Sequence, residues 1–232
     1  MKRKNLKVKK NTVNKRTAKK ANKTKKQPTK ISQIKNRSKE LRRPGKEKPM
    51  PVVGIGSSAG GLEAFSKFLE TLPPNLGMAY VYVQHLSATH ESLLPEILER
   101  KTSMPVMKTE QDMLIEKDHV YVIPANKTIT ISDGTLKLQP RPERENFFPI
   151  DTFFISLAGT YQENAIGILL SGTGTDGTLG LKAIKTDGGI TFAQDDSAKY
   201  HDMPHHATEM GYVDFIMPPD KIALQLSIFF DH

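Results

Sequence analysis

Apolar residues are sparse and without a sustained period up to residue 49, and from Met50 onward they fall into short ordered runs. Val52 to Ile55 is a continuous run of strand length, after which Leu62, Phe65, Phe68, Leu69 and Leu72 recur at helical spacing until Pro73-Pro74 stops them. Ala79 to Val83 predicts a second strand, and Leu93, Leu94, Ile97 and Leu98 a second helix. Thr128 to Ser132 and Thr135 to Leu138 flank Asp133-Gly134, a two-residue turn signal that predicts a peripheral β-hairpin. The alternation then resumes. A helix capped near Asp151 carries Phe153, Phe154, Leu157 and Tyr161; a strand covers Ala165 to Leu170; a helix after Asp176 carries Leu181 and Ile184; and a strand covers Gly189 to Ala193. A helix after Pro204, a short strand Val213 to Ile216, and a last helix opened by Pro219 and Asp220 complete the chain.

Strand and helix alternate, and the strands are apolar along their whole length rather than at every second position. That pattern predicts an α/β fold with a doubly wound, mainly parallel sheet covered by helices on both faces. In such sheets ligands bind beyond the carboxyl ends of the strands, so chemistry is to be sought in the loops that follow them.

Charge divides the chain where the hydrophobic pattern does. Its 34 Lys+Arg and 25 Asp+Glu leave +9 overall, but residues 1–49 hold 21 of the basic residues and only Glu40 and Glu47 as acids, so the remainder is net −10. Residues 1–49 therefore read as a disordered Lys-rich tail and linker, too polar to offset ordering entropy, and residues 50–232 as one domain large enough to bury a core. Two readings of the tail stand side by side. It is a solubilising segment, or it attaches electrostatically to nucleic acid, an anionic lipid surface or an acidic partner. No aromatic residue interleaves its lysines, which leaves base stacking unsupported.

With no cysteine, the chain cannot use disulfides, thiolate metal sites or a cysteine nucleophile, and hydroxyl, imidazole and carboxylate groups remain. No apolar stretch predicts a membrane span or a secretory signal, and a cytoplasmic protein is expected.

The loop after the first strand, Gly54-Ile55-Gly56-Ser57-Ser58-Ala59-Gly60-Gly61, fits two motifs. From Gly54 it is a G-x-G-x-x-A dinucleotide fingerprint. From Gly56 it is G-x-S-x-G, with Ser58 in a tight strand-to-helix turn where a helix N-terminus can stabilise an oxyanion. The dinucleotide reading needs an acid near the end of the next strand, and Val83-Gln84-His85 stands there instead. An imidazole is what a serine nucleophile requires as general base. The next such loop, Leu170-Ser171-Gly172-Thr173-Gly174-Thr175-Asp176-Gly177, supplies Asp176, which reads equally as the acid that orients His85 and as the N-cap of the following helix. His201 and His205 are spaced for one helical face, but Pro204 intervenes and no third ligand is evident, so no metal site is assigned. His90, His119, His206 and His232 are read as surface or structural residues.

Val52 to Gly61, Gln84-His85, Leu170 to Gly180 and Met203-Pro204 together resemble the catalytic domain of the CheB-type chemotaxis receptor methylesterases, over residues 51–222. The resemblance implies a doubly wound α/β fold without a cofactor, acting on glutamyl methyl esters in the cytoplasmic part of chemoreceptors, with deamidation of receptor glutamines as a second reaction. It places the nucleophile at Ser58, the general base at His85 and the orienting acid at Asp176. Backbone N–H groups near Ser58 and around Thr173 would form the oxyanion site, with Thr173 standing where the family usually has methionine. Ala59 replaces a frequent threonine, as in the methylesterase domains fused to receptor methyltransferases, and His205 a frequent arginine. The resemblance further implies methyltransferase or kinase signalling partners. The 49 residues before the domain are too few and too polar for the phosphoacceptor receiver that precedes it in well-known members. The competing reading of the whole chain is a tail-driven binding protein for nucleic acid or an acidic partner, with a degenerate hydrolase scaffold behind it.

Overall fold

A computed structural model describes Ser32 and residues 50–85, 93–142 and 147–230. Its seven-stranded sheet is parallel throughout. It comprises β1 (Val52–Ser57), β2 (Ala79–Gln84), β3 (Val106–Lys108), β5 (His119–Val122), β8 (Ala165–Leu169), β9 (Ile190–Ala193) and β10 (Phe215–Ile216), in the order β10-β9-β8-β1-β2-β5-β3. From β1 the chain passes to β2, on to the edge strand β3 and back to β5 between them, then returns to β8 beside β1 and winds outward on the other side. The strand order therefore reverses between β1 and β8, where two loops diverge and leave a crevice at the carboxyl ends.

A second, antiparallel sheet of order β4-β7-β6 is built from β4 (Met113–Leu114), β6 (Lys127–Ser132) and β7 (Thr135–Pro140). The β6-β7 hairpin is the one predicted, closed by Asp133 at φ 49° and Gly134 at φ 75°, both in the left-handed region that a tight hairpin turn requires. Strands β3, β4 and β5 were not expected from the sequence. At two to four residues each, they are too short for an apolar period to emerge, and their partners rather than their own pattern define them.

Helices cover both faces of the main sheet. On one face, α1 (Gly61–Thr71), α2 (Leu94–Glu99) and α6 (Pro219–Phe230) place Phe65, Phe68, Leu98, Leu226 and Phe229 against Val53, Ile55, Tyr80 and Tyr82. On the other, α3 (Pro149–Tyr161), α4 (Thr178–Thr186) and α5 (Asp202–Glu209) pack Phe153, Phe154, Leu157, Leu181, Ile184 and Met203 against Val52, Val81, Val83 and Leu169. The small sheet lies outside α3, its Ile129, Ile131 and Leu136 buried in the same core, and Ile131 N–H donates to Ser156 Oγ (3.1 Å). None of the helices among the described residues is long and apolar enough to cross a membrane.

One packing detail positions the crevice. On the α3 face of β1 stands Gly56, where an added Cβ would overlap Ile150 Cγ2. Without that Cβ the first turn of α3 rests directly on β1, so its backbone N–H groups are brought to the end of the strand.

Candidate active site

The three loops at the carboxyl ends of β1, β2 and β8 converge. Ser57 pairs with Gln84 in the parallel register, and the His85 N–H donates to Ser57 O (3.3 Å), so Ser58 and His85 leave adjacent strands side by side. His85 Nε2 donates to Asp176 Oδ2 at 2.7 Å across 91 residues of sequence. The His85 side chain is 34% exposed and that of Asp176 only 2%, an imidazole at the crevice wall anchored on a buried carboxylate. Because Nε2 is bound to Asp176, Nδ1 is the ring nitrogen that this contact leaves available. The serine-protease triad makes the opposite choice, with the acid on Nδ1. Among the described residues no hydrogen bond joins Ser58 Oγ to His85.

Asp176 is an acceptor for helix termini. Its Oδ2 also takes the Ile150 N–H (3.0 Å), and its Oδ1 takes the N–H groups of Asp151 (2.9 Å) and Gly177 (2.8 Å). The alternative role of Asp176 as N-cap of its own helix α4 is therefore not what the structure shows. The cap position of α4 is Gly177, with no side-chain cap bond, while the Asp176 carboxylate caps α3. Three N–H donors hold that carboxylate in place, so it can fix the histidine ring.

Asp151 completes a reciprocal arrangement that sequence reasoning missed. It sits in the first turn of α3, 7% exposed, and its Oδ1 accepts the Gly180 N–H of α4 at 2.7 Å. Each helix thus has its N-terminus held by a carboxylate from the other's end of the crevice. Burial pushes the Asp151 carboxyl up to about 6; backbone N–H donors, led by Gly180, oppose the rise, and the charge of Asp176 adds to it. The available signal was an acid at the start of a predicted helix, which reads as an ordinary dipole-stabilising residue until its distant partner is known.

Ser171 is the second residue whose role no local pattern indicated. Its carbonyl accepts the Ser58 N–H (3.0 Å), its hydroxyl donates to Ala59 O (2.8 Å) and accepts from Tyr200 N–H (3.0 Å), and its N–H donates to Gln194 Oε1 (2.9 Å). It ties the serine loop to the β8 loop and to the segment before α5. One expectation needs refining accordingly. The Ser58 N–H is committed to Ser171, so the backbone donors near Ser58 left for an oxyanion are those of Ala59 and Gly60, with Thr173 across the crevice; among the described residues none of these three has an acceptor. Gly172 permits the tight approach, since a Cβ there would meet Met203 Sδ and lie 2.9 Å from Ser58 Cβ.

Beneath the serine loop a buried chain of polar groups runs from Ser57 Oγ to the Tyr82 hydroxyl (2.7 Å), on to Gln84 Oε1 (3.3 Å), and from Gln84 Nε2 to Ser58 O (3.4 Å). Burial raises the Tyr82 phenol, opposed by the Ser57 hydrogen bond, and keeps it neutral as a donor to Gln84.

The remaining histidines lie apart from this constellation. His205 faces Glu209 at 3.6 Å on the exposed side of α5, His206 Nδ1 bonds the Thr178 hydroxyl (3.0 Å), and His119 Nδ1 donates to Lys117 O (2.9 Å). His90 and His232 are outside the described residues. No cluster of three potential metal ligands exists among the described residues.

Comparison with known proteins agrees with this geometry. The family model described as CheB methylesterase matches residues 53–226. The chain is 35% identical over 179 residues to the protein-glutamate methylesterase/protein-glutamine glutaminase 2 of Burkholderia pseudomallei strain 1710b, covering 76% of this chain and 52% of that protein. It spans about half the length of that relative. A Leptospira interrogans protein provisionally given the same pair of activities is 36% identical over 172 residues, 73% of this chain and 89% of that one. The crystal structure of the Thermotoga maritima CheB methylesterase catalytic domain superposes with a TM-score of 0.70 at 27% identity, covering 77% of this chain and 97% of that domain. A parallel sheet whose adjacent strand ends present Ser58 and His85, the latter held by Asp176, and a family match across nearly all of that sheet lead to one conclusion: the chain belongs to the CheB methylesterase family.

Proposed function

We propose that this chain is a serine hydrolase that removes methyl esters from glutamate side chains of chemoreceptors, with Ser58 as nucleophile, His85 as general base and Asp176 as the acid that orients it. The observation that carries the reading is the 2.7 Å His85–Asp176 contact, with Ser58 in register on the neighbouring strand end.

The chemistry follows from those positions. His85 Nδ1 takes the Ser58 proton as Oγ attacks the ester carbonyl carbon, and the carbonyl oxygen becomes an oxyanion. The Ala59 and Thr173 N–H groups, with the N-terminus of α1 directly behind Ser58, would stabilise that charge. As the intermediate collapses, His85 returns the proton to the methoxy oxygen and methanol leaves. Water then attacks the acyl-serine, giving its proton first to His85 and then to Ser58 Oγ, and glutamate is released. The same acyl-enzyme forms from a glutamine side chain with ammonia as leaving group, and the glutaminase activity in the names of both relatives supports that second reaction.

In this reading residues 50–232 are the methylesterase domain and residues 1–49 a separate basic segment available to an anionic partner. The enzyme works in the cytoplasm beside the receptor's methyltransferase and kinase partners. The test is methanol release from a methylated chemoreceptor fragment by the intact chain and by Ser58→Ala at matched folded concentration. Release is expected to fall at least about 1000-fold in the variant. Equal release from both, or none from the intact chain, overturns the proposal.

A further inference from the structure

Beside His85 the crevice opens into a cavity of about 470 Å³ whose far wall comes from the small antiparallel sheet. It is lined by Gln84 and His85, by Ile123 and the turn after β5, and by Lys127, Arg141 and Phe147. Strand β5 neighbours β2, so this turn lies next to the catalytic strand ends. Lys127 opens β6 and pairs with Pro140 at the end of β7, and the Arg141 N–H donates to Asn126 O (3.0 Å), continuing the ladder by one residue. The open end of the hairpin thus fixes two cationic side chains on one rim of the cavity.

The charge of this rim is opposite to that of the domain. Residues 50–232 are net −10, yet among the described residues no carboxylate lines the cavity and neither Lys127 nor Arg141 is in an ion pair. Two cations lining the same cavity as apolar Ile123 and Phe147 suit a side chain with an anionic end and a methylene stem.

We infer that the Lys127/Arg141 groove is a substrate subsite that holds acidic side chains flanking the reacting glutamyl group. It rests on the methylesterase reading and narrows its substrate to acidic protein segments. The groove is continuous with His85, so a chain whose ester sits at Ser58 passes directly along the cationic rim. The small sheet then has a role in catalysis: it supplies specificity to a reaction centre built entirely on the main sheet.

The test compares two peptides, each carrying one glutamyl methyl ester, one flanked by glutamates and the other by glutamines. The intact chain is compared with Lys127→Glu/Arg141→Glu, both substitutions being at exposed positions, with folding checked by circular dichroism. For the intact chain kcat/KM should favour the acidic peptide by about 10-fold or more, through KM, with the preference shrinking as salt rises. The double variant should lose or invert that preference. An intact chain indifferent to flanking charge, or a preference surviving in the double variant, overturns the subsite. Peptide binding to Ser58→Ala, read by fluorescence anisotropy, separates the two claims. If methanol is released from neither peptide while the acidic one binds preferentially and loses that preference on charge reversal, the groove stands and the esterase reading fails.

Discussion

Replacing Asp151 by asparagine tests whether the buried carboxyl under the crevice carries an electrostatic cost. In the folded protein it titrates at about 6, against an ordinary aspartate value of 3.8, because burial penalises its charge more than the Gly180, Gly177 and Leu179 N–H groups reward it. Between those two values the folded chain holds a proton that the unfolded chain has released, so stability falls as pH rises through this window. Below pH 3.8 no penalty applies; above about 6 both states are ionised and the full penalty persists. A shift of about 2 units corresponds to roughly 3 kcal/mol. Asparagine never ionises. Its oxygen can still accept from Gly180, and whatever its amide group costs against the other N–H donors is independent of pH. The stability of Asp151→Asn relative to the parent should therefore rise by roughly 3 kcal/mol between pH 4 and pH 7 and then level off. Urea unfolding of both proteins at one-unit intervals, with equal m-values, measures the difference directly and cancels the shared groups that do not interact with residue 151. A difference that stays flat within about 1 kcal/mol, or one of opposite slope, would refute the assigned burial cost.

Two further substitutions probe the same machinery. Asp176→Asn removes the anion from His85 and turns an amide toward the N–H groups of Ile150, Asp151 and Gly177, so kcat should fall by about 1000- to 10,000-fold; steady-state methanol release with urea unfolding alongside checks this. Ser171→Ala deletes the hydroxyl shared by Ala59 O and Tyr200 N–H, leaving both without that partner. A loss of about 1–3 kcal/mol in stability is expected, with kcat lowered more than KM raised, since the loop that carries the oxyanion donors is loosened; kinetics and unfolding on one preparation measure both.

The strands at 52–57, 79–84, 165–169 and 190–193 were legible because a fully buried parallel strand needs only apolar residues in sequence, a local property. The glycine-rich turns after β1 and β8 were legible for the same reason, and with them the positions of Ser58, His85 and Asp176 at strand ends. Short segments such as Val106–Lys108 and His119–Val122 were not, since their strand character comes from the neighbours they pair with. Tertiary structure alone decided which atoms meet. His85 and Asp176 are 91 residues apart, so nothing local could indicate that Nε2 would face the carboxylate. Nor could it show that Asp176 caps α3 rather than α4, that Asp151 returns the contact at Gly180, or that the hairpin sets Lys127 and Arg141 beside the histidine. Hydrophobic pattern specifies elements because burial acts residue by residue. A reaction centre depends on the order in which strands assemble, and that order arises from contacts between segments far apart in the chain.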